Sequence, residues 1–346
     1  MHYLVSGAAG FIGAHFVTHV LSTEPDAHVT AIVTFRHSGV PERLTQCEKI
    51  QAAWDRLRIV HHDLRADLSA VALAQMVDAF GPVDHVVHFA AESHVDRSLT
   101  DPRPFIENNV AATLSMLEAA RVLKPRSFVQ ISTDEVYGAA QGDYRHQEWD
   151  PIIPSNPYAA SKAAQEAIAI SYWRAYGVPV VITNTMNNYG ERQHPEKYIP
   201  MVMRRVLRGE CVPIHAVNGV VGSRFYLHAR NHADAVLHLL QRYDSDHMTP
   251  RGVFMYPLHD RPLRANVVGE REVTNLELAE MIAGFIGRPL IYDLVDAHSS
   301  RPGHDLRYAL SGFKTAQLGW TPPVSLEESL GRTVAWTLAH PEWLAL

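Results

Sequence analysis

Two stretches of the chain carry side chains whose types and spacing suit proton transfer. In Pro157-Tyr158-Ala159-Ala160-Ser161-Lys162, a tyrosine and a lysine lie four apart at the start of a helical pattern, hence on one face. A nearby ammonium favours phenolate, so Lys162 is expected to lower the pKa of Tyr158 toward the range where it serves as a base. An exposed helical pair would show the same spacing. In Ile131-Ser132-Thr133-Asp134-Glu135-Val136-Tyr137-Gly138, two adjacent carboxyl groups follow a Ser-Thr pair. The dipole of a helix N-terminus would explain the acids but not the hydroxyls before them. Two carboxyls in one closed pocket can be split by environment into an acid and a base. Dehydration needs both, one to take a carbon-bound proton and one to protonate the departing hydroxyl.

A third stretch suits anion binding. Val5-Ser6-Gly7-Ala8-Ala9-Gly10-Phe11-Ile12-Gly13 follows the first strand pattern and opens the first helix. Gly7 permits the tight turn, Gly10 a close backbone approach to a diphosphate, and Gly13 close helix–strand packing. The helix start adds free amides, with Phe11 and Ile12 among them. A dinucleotide is therefore expected here. The second strand ends Thr34-Phe35-Arg36-His37, without the carboxylate that would hold the adenosine ribose. These residues leave the choice between NAD and NADP open, since no carboxylate repels a 2′-phosphate and Arg36 and His37 could bind one. Asp63, followed by Leu64, falls where such folds hydrogen-bond the adenine; its other reading is a helix cap before Asp67.

These groups need a scaffold. Strand patterns at His2–Ser6, Val29–Thr34, Arg58–His61, His85–Phe89, Ser127–Ser132 and Pro179–Thr183 alternate with helical patterns near Phe11–Leu21, Asp67–Phe80, Phe105–Leu123 and Tyr158–Tyr176. That alternation predicts an α/β fold of the Rossmann type, a doubly wound parallel sheet, with a smaller C-terminal substrate-binding lobe. The dinucleotide-binding domain is placed at 1–185. The substrate lobe is placed mainly at 186–346, with a segment near 223–243 returning to the first domain.

The G-x-x-G-x-x-G spacing, the Tyr158/Lys162 pair and the Ser-Thr-Asp-Glu-Val-Tyr-Gly run together resemble the nucleotide-sugar 4,6-dehydratases of the extended short-chain dehydrogenase/reductase family. The resemblance runs almost end to end. His88-Phe89-Ala90-Ala91-Glu92-Ser93 resembles the loop that covers the cofactor, and Glu107-Asn108-Asn109-Val110 the helix turn that supports it. Asn187-Asn188-Tyr189-Gly190 and Pro195-Glu196-Lys197 resemble the substrate-nucleotide loop. Arg301-Pro302-Gly303-His304 resembles a diphosphate clamp, completed by the fork-shaped donors of Arg224.

What the resemblance implies is a conversion of a nucleotide-diphosphate hexose to its 4-keto-6-deoxy form. Tyr158, helped by Thr133, takes the 4-hydroxyl proton while hydride passes from C4 to the nicotinamide, and Lys162 holds the nicotinamide ribose. Glu135 then removes the C5 proton, Asp134 protonates the C6 hydroxyl, water leaves, and hydride returns to C6. The resemblance implies NAD as the cofactor, with NADP as the alternative, and assigns Phe89, Ala90, Ala91, Ser93, Asn108 and Asn188 to it. It assigns Ser93, Thr133, Asn187, Glu196, Lys197, Arg224, Arg301 and His304 to the substrate. A nucleotide-sugar epimerase or decarboxylase, or a 5,6-dehydratase, would share the fold and Tyr158/Lys162. A non-catalytic dinucleotide sensor would not need that pair. Three departures touch recognition: Phe35-Arg36-His37 for an acidic strand end, Phe225-Tyr226 within the family's R-D-W-L, and Ser311 for an acid.

The remaining composition narrows the class. A formal charge of −6 argues against a nucleic-acid partner. The 21 histidines are scattered without metal-ligand spacing, so no metal is expected. Two cysteines, no secretory signal and no apolar run of membrane-spanning length make a cytoplasmic protein the simplest expectation. Apolar residues on more than one face of the third and fourth helical patterns, among them Met116, Leu117, Ile168, Ile170 and Trp173, lead to the expectation of a homodimer.

Overall fold

The computed structural model describes residues 1–36, 39–242, 260–296 and 305–345. Six β-branched runs form β1 (His2–Ser6), β2 (His28–Val33), β3 (Leu57–His61), β4 (His85–His88), β5 (Ser127–Thr133) and β6 (Val180–Thr185). Every residue of β1, β4, β5 and β6 is buried, as strands covered on both faces must be. All six pair in parallel, and a seventh strand, Leu263–Val267, adds to β6. The order across the sheet is Leu263–Val267, β6, β5, β4, β1, β2, β3. It reverses between β1 and β4, so a crevice opens there at the carboxyl ends of the strands.

Helices fill both faces. On one, α1 (Phe11–Thr23) buries Phe16, Val17 and Val20 with Val236 and Leu240 of the helix Ala229–Arg242. On the other, the helices Ala70–Phe80, Arg103–Leu123 and Pro157–Tyr176 bury Met76, Met116, Leu117 and Ala169 against Leu4 and Phe128. Two of these helices are also joined by polar contacts: Asn109 Nδ2 donates to Ser161 Oγ at 2.8 Å, and Gln165 Nε2 to Asn109 O at 3.0 Å.

A second core lies beyond the carboxyl edge of the sheet. Ile199, Val202, Leu278, Ile282, Leu330 and Val334 join the helices Tyr198–Arg208, Asn275–Ile286 and Leu326–Ala339. A small sheet of Tyr292–Asp296, Val212–Val217 and Val220–Val221 belongs to this part. The chain crosses back twice, with Ala229–Arg242 packing on α1 and Leu263–Val267 entering the main sheet.

The sequence-derived strands and helices agree with these elements within a few residues, but the seventh strand escaped. The apolar excess on the helices also needs correction. Met116 and Leu117 are fully buried in the chain's own core, and Ile168, Ile170 and Trp173 pack against it. The outward apolar stripe is instead Ile106, Val110 and Leu114, at four-residue spacing on one helix face, with Ile106 42% and Leu114 43% exposed. No described helix is long and apolar enough to cross a membrane, and no described group of His, Cys, Asp and Glu is arranged to hold a metal ion.

Candidate active site

The turn after β1 is shaped by what it cannot contain. Gly7 has φ +67°, and a Cβ there would lie 2.7 Å from the Ala90 amide nitrogen. A Cβ on Gly13 would lie 2.4 Å from the Gly7 carbonyl oxygen, so helix and turn pack backbone to backbone. Gly10 caps α1 without a side chain, and no acid sits in the first helical turn. The first amides of this helix therefore face a cavity of about 530 Å³ with nothing of their own to bind. A second cavity of about 240 Å³ shares Gly7, Gly10, Phe89 and Ala91 with the first and continues past β2 and β3.

Together the two cavities collect every described residue expected at the cofactor. Arg36, Asp63, Leu64, Ala90 and Asn108 line the smaller. Phe11, Ile12, Gly13, Ser93, Tyr158, Lys162 and Asn188 line the larger. The preformed glycine cradle, with its unclaimed amides, fits a dinucleotide diphosphate. Arg36 is not loose in solvent: its guanidinium pairs with Asp63, which also accepts from Arg65 at 2.7 Å. These arginines hold the Asp63 carboxyl well below the usual carboxylate range. Asp63 is not a helix cap, since Ser69 caps the helix that follows.

The acid–base groups stand on the larger cavity. β5 ends at Thr133, whose Oγ1 accepts from the Glu135 amide and donates to Asp134 Oδ1 at 2.9 Å. A 3₁₀ turn, Asp134–Tyr137, follows at once. Asp134 is 4% exposed, and its Oδ2 has no hydrogen-bond partner among the described residues. Burial pushes its carboxyl up to about 6, against the opposing hydrogen bond from Thr133. Glu135 Oε2 accepts from Asn156 Nδ2 at 3.1 Å, and Asn156 Oδ1 caps the helix Pro157–Tyr176 through the Ala159 amide. One amide side chain thus ties Glu135 to the helix that carries Tyr158 and Lys162.

The expected electrostatics of that helical pair are reversed. Burial, and then the Glu135 carboxylate, push the Tyr158 phenol above its ordinary range, with a hydrogen bond to Thr133 opposing. Lys162 does not offset this, because its Nζ turns back to the Ile131 carbonyl at 2.7 Å. Burial pushes this ammonium down to about 7, with Glu166 acting in the other direction. Four-residue spacing put the two groups on one face but said nothing of where the lysine points.

Of the expected substrate residues, Ser93, Thr133, Asn187, Glu196, Lys197 and Arg224 line the same cavity. Glu196 lies between His94 at 3.6 Å, His194 at 3.5 Å and Arg97 at 3.7 Å. Arg224 sends Nη1 to the Leu306 carbonyl at 2.5 Å and Nη2 to the Asp305 carbonyl at 2.6 Å, and stacks 4.6 Å from the Tyr308 ring. Arg301, His304 and His37 lie outside the described residues. Sequence reasoning missed Asn275 and His215 on the cavity wall and met Tyr226 only as a departure from the family's pattern. Asn275 opens a helix after the Thr274 cap, and its Oδ1 accepts from Tyr226 Oη at 2.8 Å.

Comparison with known proteins places this architecture. A family model described as GDP-mannose 4,6 dehydratase matches residues 4–333. A dTDP-glucose 4,6-dehydratase of Streptomyces antibioticus is 34% identical over 99% of this chain and 94% of its own length. The crystal structure of a dTDP-glucose 4,6-dehydratase from Streptomyces venezuelae, with NAD bound, superposes with a TM-score of 0.83. It is 35% identical and covers 99% of this chain and 98% of its own. A UDP-glucose 4-epimerase of Thermus thermophilus in complex with NAD is more distant, with 28% identity, a TM-score of 0.79 and coverage of 97% and 98%.

The raised carboxyl of Asp134 has a measurable consequence. Its folded pKa near 6 exceeds the unfolded value near 4, so burying the ionised group costs stability at high pH. The cost is absent below about pH 4, grows between 4 and 6, and is complete above that. Asp134→Asn, which preserves the shape and the bond from Thr133, should therefore stabilise the protein at pH 8 by on the order of 3 kcal/mol. The gain should vanish in denaturation measured near pH 4; a gain independent of pH would refute the shift.

Proposed function

The chain belongs to the GDP-mannose 4,6-dehydratase family, within the extended short-chain dehydrogenases/reductases, and from that premise we propose a division of labour among its residues. It is an NAD-dependent nucleotide-hexose 4,6-dehydratase, forming a 4-keto-6-deoxy sugar. The glycine turn, Tyr158 and Lys162 would hold NAD, which would supply a hydride acceptor for C4 and a hydride donor for C6, so no net oxidation would result. The observation that carries our assignment is the pair Asp134–Glu135: adjacent carboxyls on one cavity, in different environments, beside Tyr158.

We assign the residues as follows. Tyr158 Oη receives the proton of the C4 hydroxyl, with Thr133 Oγ1 hydrogen-bonded to it. Lys162 orients the nicotinamide ribose, and the α1 amides with the glycine turn hold the diphosphate of the dinucleotide. The ketone at C4 acidifies the C5 hydrogen. Glu135 takes that proton, while Asp134, whose burial favours the protonated form, donates its own to the C6 hydroxyl, which leaves as water. Glu135 then gives the proton back to C5 as hydride reaches C6. Ser93, Asn187, Glu196, Lys197 and Arg224 hold the nucleotide-sugar, with Arg301 and His304 completing the diphosphate clamp. Around them, residues from about 186 onward form the substrate lobe. A 4-epimerase on the same fold would need Tyr158 and Lys162 but would have no task for Asp134 and Glu135.

The same proposal includes a homodimer, formed through the stripe Ile106, Val110 and Leu114, and a cytoplasmic setting in which Cys47 and Cys211 stay reduced.

Two outcomes check these assignments. Tyr158→Phe should abolish all chemistry, because the C4 hydroxyl proton then has no acceptor. Glu135→Gln should still oxidise C4, so enzyme-bound reduced nicotinamide, seen by its near-ultraviolet absorbance, should build up without 6-deoxy product. Turnover by Glu135→Gln close to the parent rate would end the dehydratase assignment. For the assembly, light scattering at micromolar concentration should give twice the chain mass, and Leu114→Glu should give the monomer. A parent protein that is already monomeric would contradict the dimer.

A further inference from the structure

Behind the cavity wall, the molecule buries an ion pair that none of the steps above uses. Arg264, on the edge strand Leu263–Val267, and Glu166, on the helix Pro157–Tyr176, have side chains 1% and 0% exposed, and Arg264 Nη2 donates to Glu166 Oε2 at 2.5 Å. The other oxygen of Glu166 accepts from Asn184 Nδ2 at 2.7 Å, and the same Nδ2 donates to the carbonyl of Thr133 at 3.0 Å. On its other side, Arg264 Nη1 donates to the Glu148 carbonyl at 2.9 Å and to Tyr137 Oη at 3.4 Å. Tyr137 Oη donates to that same carbonyl at 3.0 Å, and the guanidinium stacks 4.4 Å from the Trp149 ring.

Thr133 and Tyr137 are the two ends of the turn that carries Asp134 and Glu135. One guanidinium therefore reaches both ends, directly at Tyr137 and through Glu166 and Asn184 at Thr133. Stability alone is a poor reason for such a pair, since desolvating two charges costs about what their attraction returns, and apolar replacements are often neutral. Tyr158 and Lys162 depend on it less directly: Glu166 shares their helix and favours the Lys162 charge, but other contacts fix the two side chains. Their helix is held by Asn109 on Ser161, by Asn156 at its start and by Lys162 on Ile131.

We infer that the buried Arg264–Glu166 pair is a positioning device for the Asp134–Glu135 turn, on which elimination of water depends and oxidation at C4 does not. The inference rests on the dehydratase reading. Arg264 and Glu166 are positioning residues: neither lines the cavity, and both act through Thr133 and Tyr137. A displacement of about 1 Å at an acid–base pair is enough to slow a step on the order of 100-fold.

The test compares the parent with Arg264→Met, Arg264→Lys and the double variant Arg264→Met with Glu166→Gln, each purified with its cofactor and mixed with a nucleotide-diphosphate hexose that the parent converts. Three quantities are read: bound reduced nicotinamide by absorbance, deuterium taken from solvent at C5 by mass spectrometry, and the thermal midpoint. Arg264→Met should oxidise C4 at close to the parent rate, accumulate reduced nicotinamide, and slow both deuterium uptake and 6-deoxy product about 10- to 100-fold. Arg264→Lys, which keeps the charge but loses the fork, should recover part of the loss. Should the single Met variant leave Glu166 too unstable to fold, the double variant removes both charges; Lys162 then loses the favourable Glu166 charge, so oxidation should slow somewhat and elimination should slow more. A folded double variant in which both steps keep the parent rate, or in which both fall by one factor, overturns the inference. A parent that releases no 6-deoxy product overturns the dehydratase reading itself and this inference with it; an active parent with an unsplit variant overturns this inference alone.

Discussion

The acid–base site is built on the point where β5 stops. Along β5 successive side chains point to opposite faces of the sheet, and the break after Thr133 releases Asp134 and Glu135 from that alternation. The strand ends because Thr133 turns its hydroxyl onto the Glu135 amide and starts a 3₁₀ turn, closed by Gly138 at φ +78°. A Cβ on Gly138 would lie 2.4 Å from the Ile153 carbonyl, so the exit from the turn admits no side chain. The rest of the site is arranged around this break. Asn156 reaches it from the start of the helix of Tyr158, and Asn184 from β6.

Burial then separates the two carboxyls. Asp134 loses water and is pushed toward the neutral form, while Glu135 is drawn into the cap of the neighbouring helix by Asn156. Adjacent residues of nearly equal intrinsic acidity thereby acquire opposite roles in our assignment. The same burial drives Tyr158 up and Lys162 down, against the ionised form of each. The sheet's switch point brings the glycine turn to the same cavity, so that turn and the acid–base turn share one space.

How much of this was legible depended on sequence distance. The glycine turn, the placing of Tyr158 and Lys162 on one helix and the six strands are local patterns, and the elements stand where those patterns put them. The seventh strand escaped, because Arg264 and Asn266 break its apolar run and its pairing with β6 joins residues more than 80 positions apart. Arg264 went unread for the same reason: Glu166, Glu148 and Tyr137, its hydrogen-bond partners, are brought in by topology alone. The sign of the Tyr158 shift was misread because a spacing argument counts a neighbouring charge but not desolvation. Met116 and Leu117 were offered as interface residues, and only the packed helices show them to be core.

The account stands on an internal exchange at C4, C5 and C6 carried out by the residues around one strand end. Its most direct test is turnover of a nucleotide-diphosphate hexose carrying deuterium at C4 and ¹⁸O at C6, in ordinary water, followed by mass spectrometry of the sugar. The account expects a product that has lost the ¹⁸O and carries the deuterium at C6, in the same molecule and without added oxidant. A product that keeps the ¹⁸O would contradict it, since Asp134 and Glu135 would then have no water to remove.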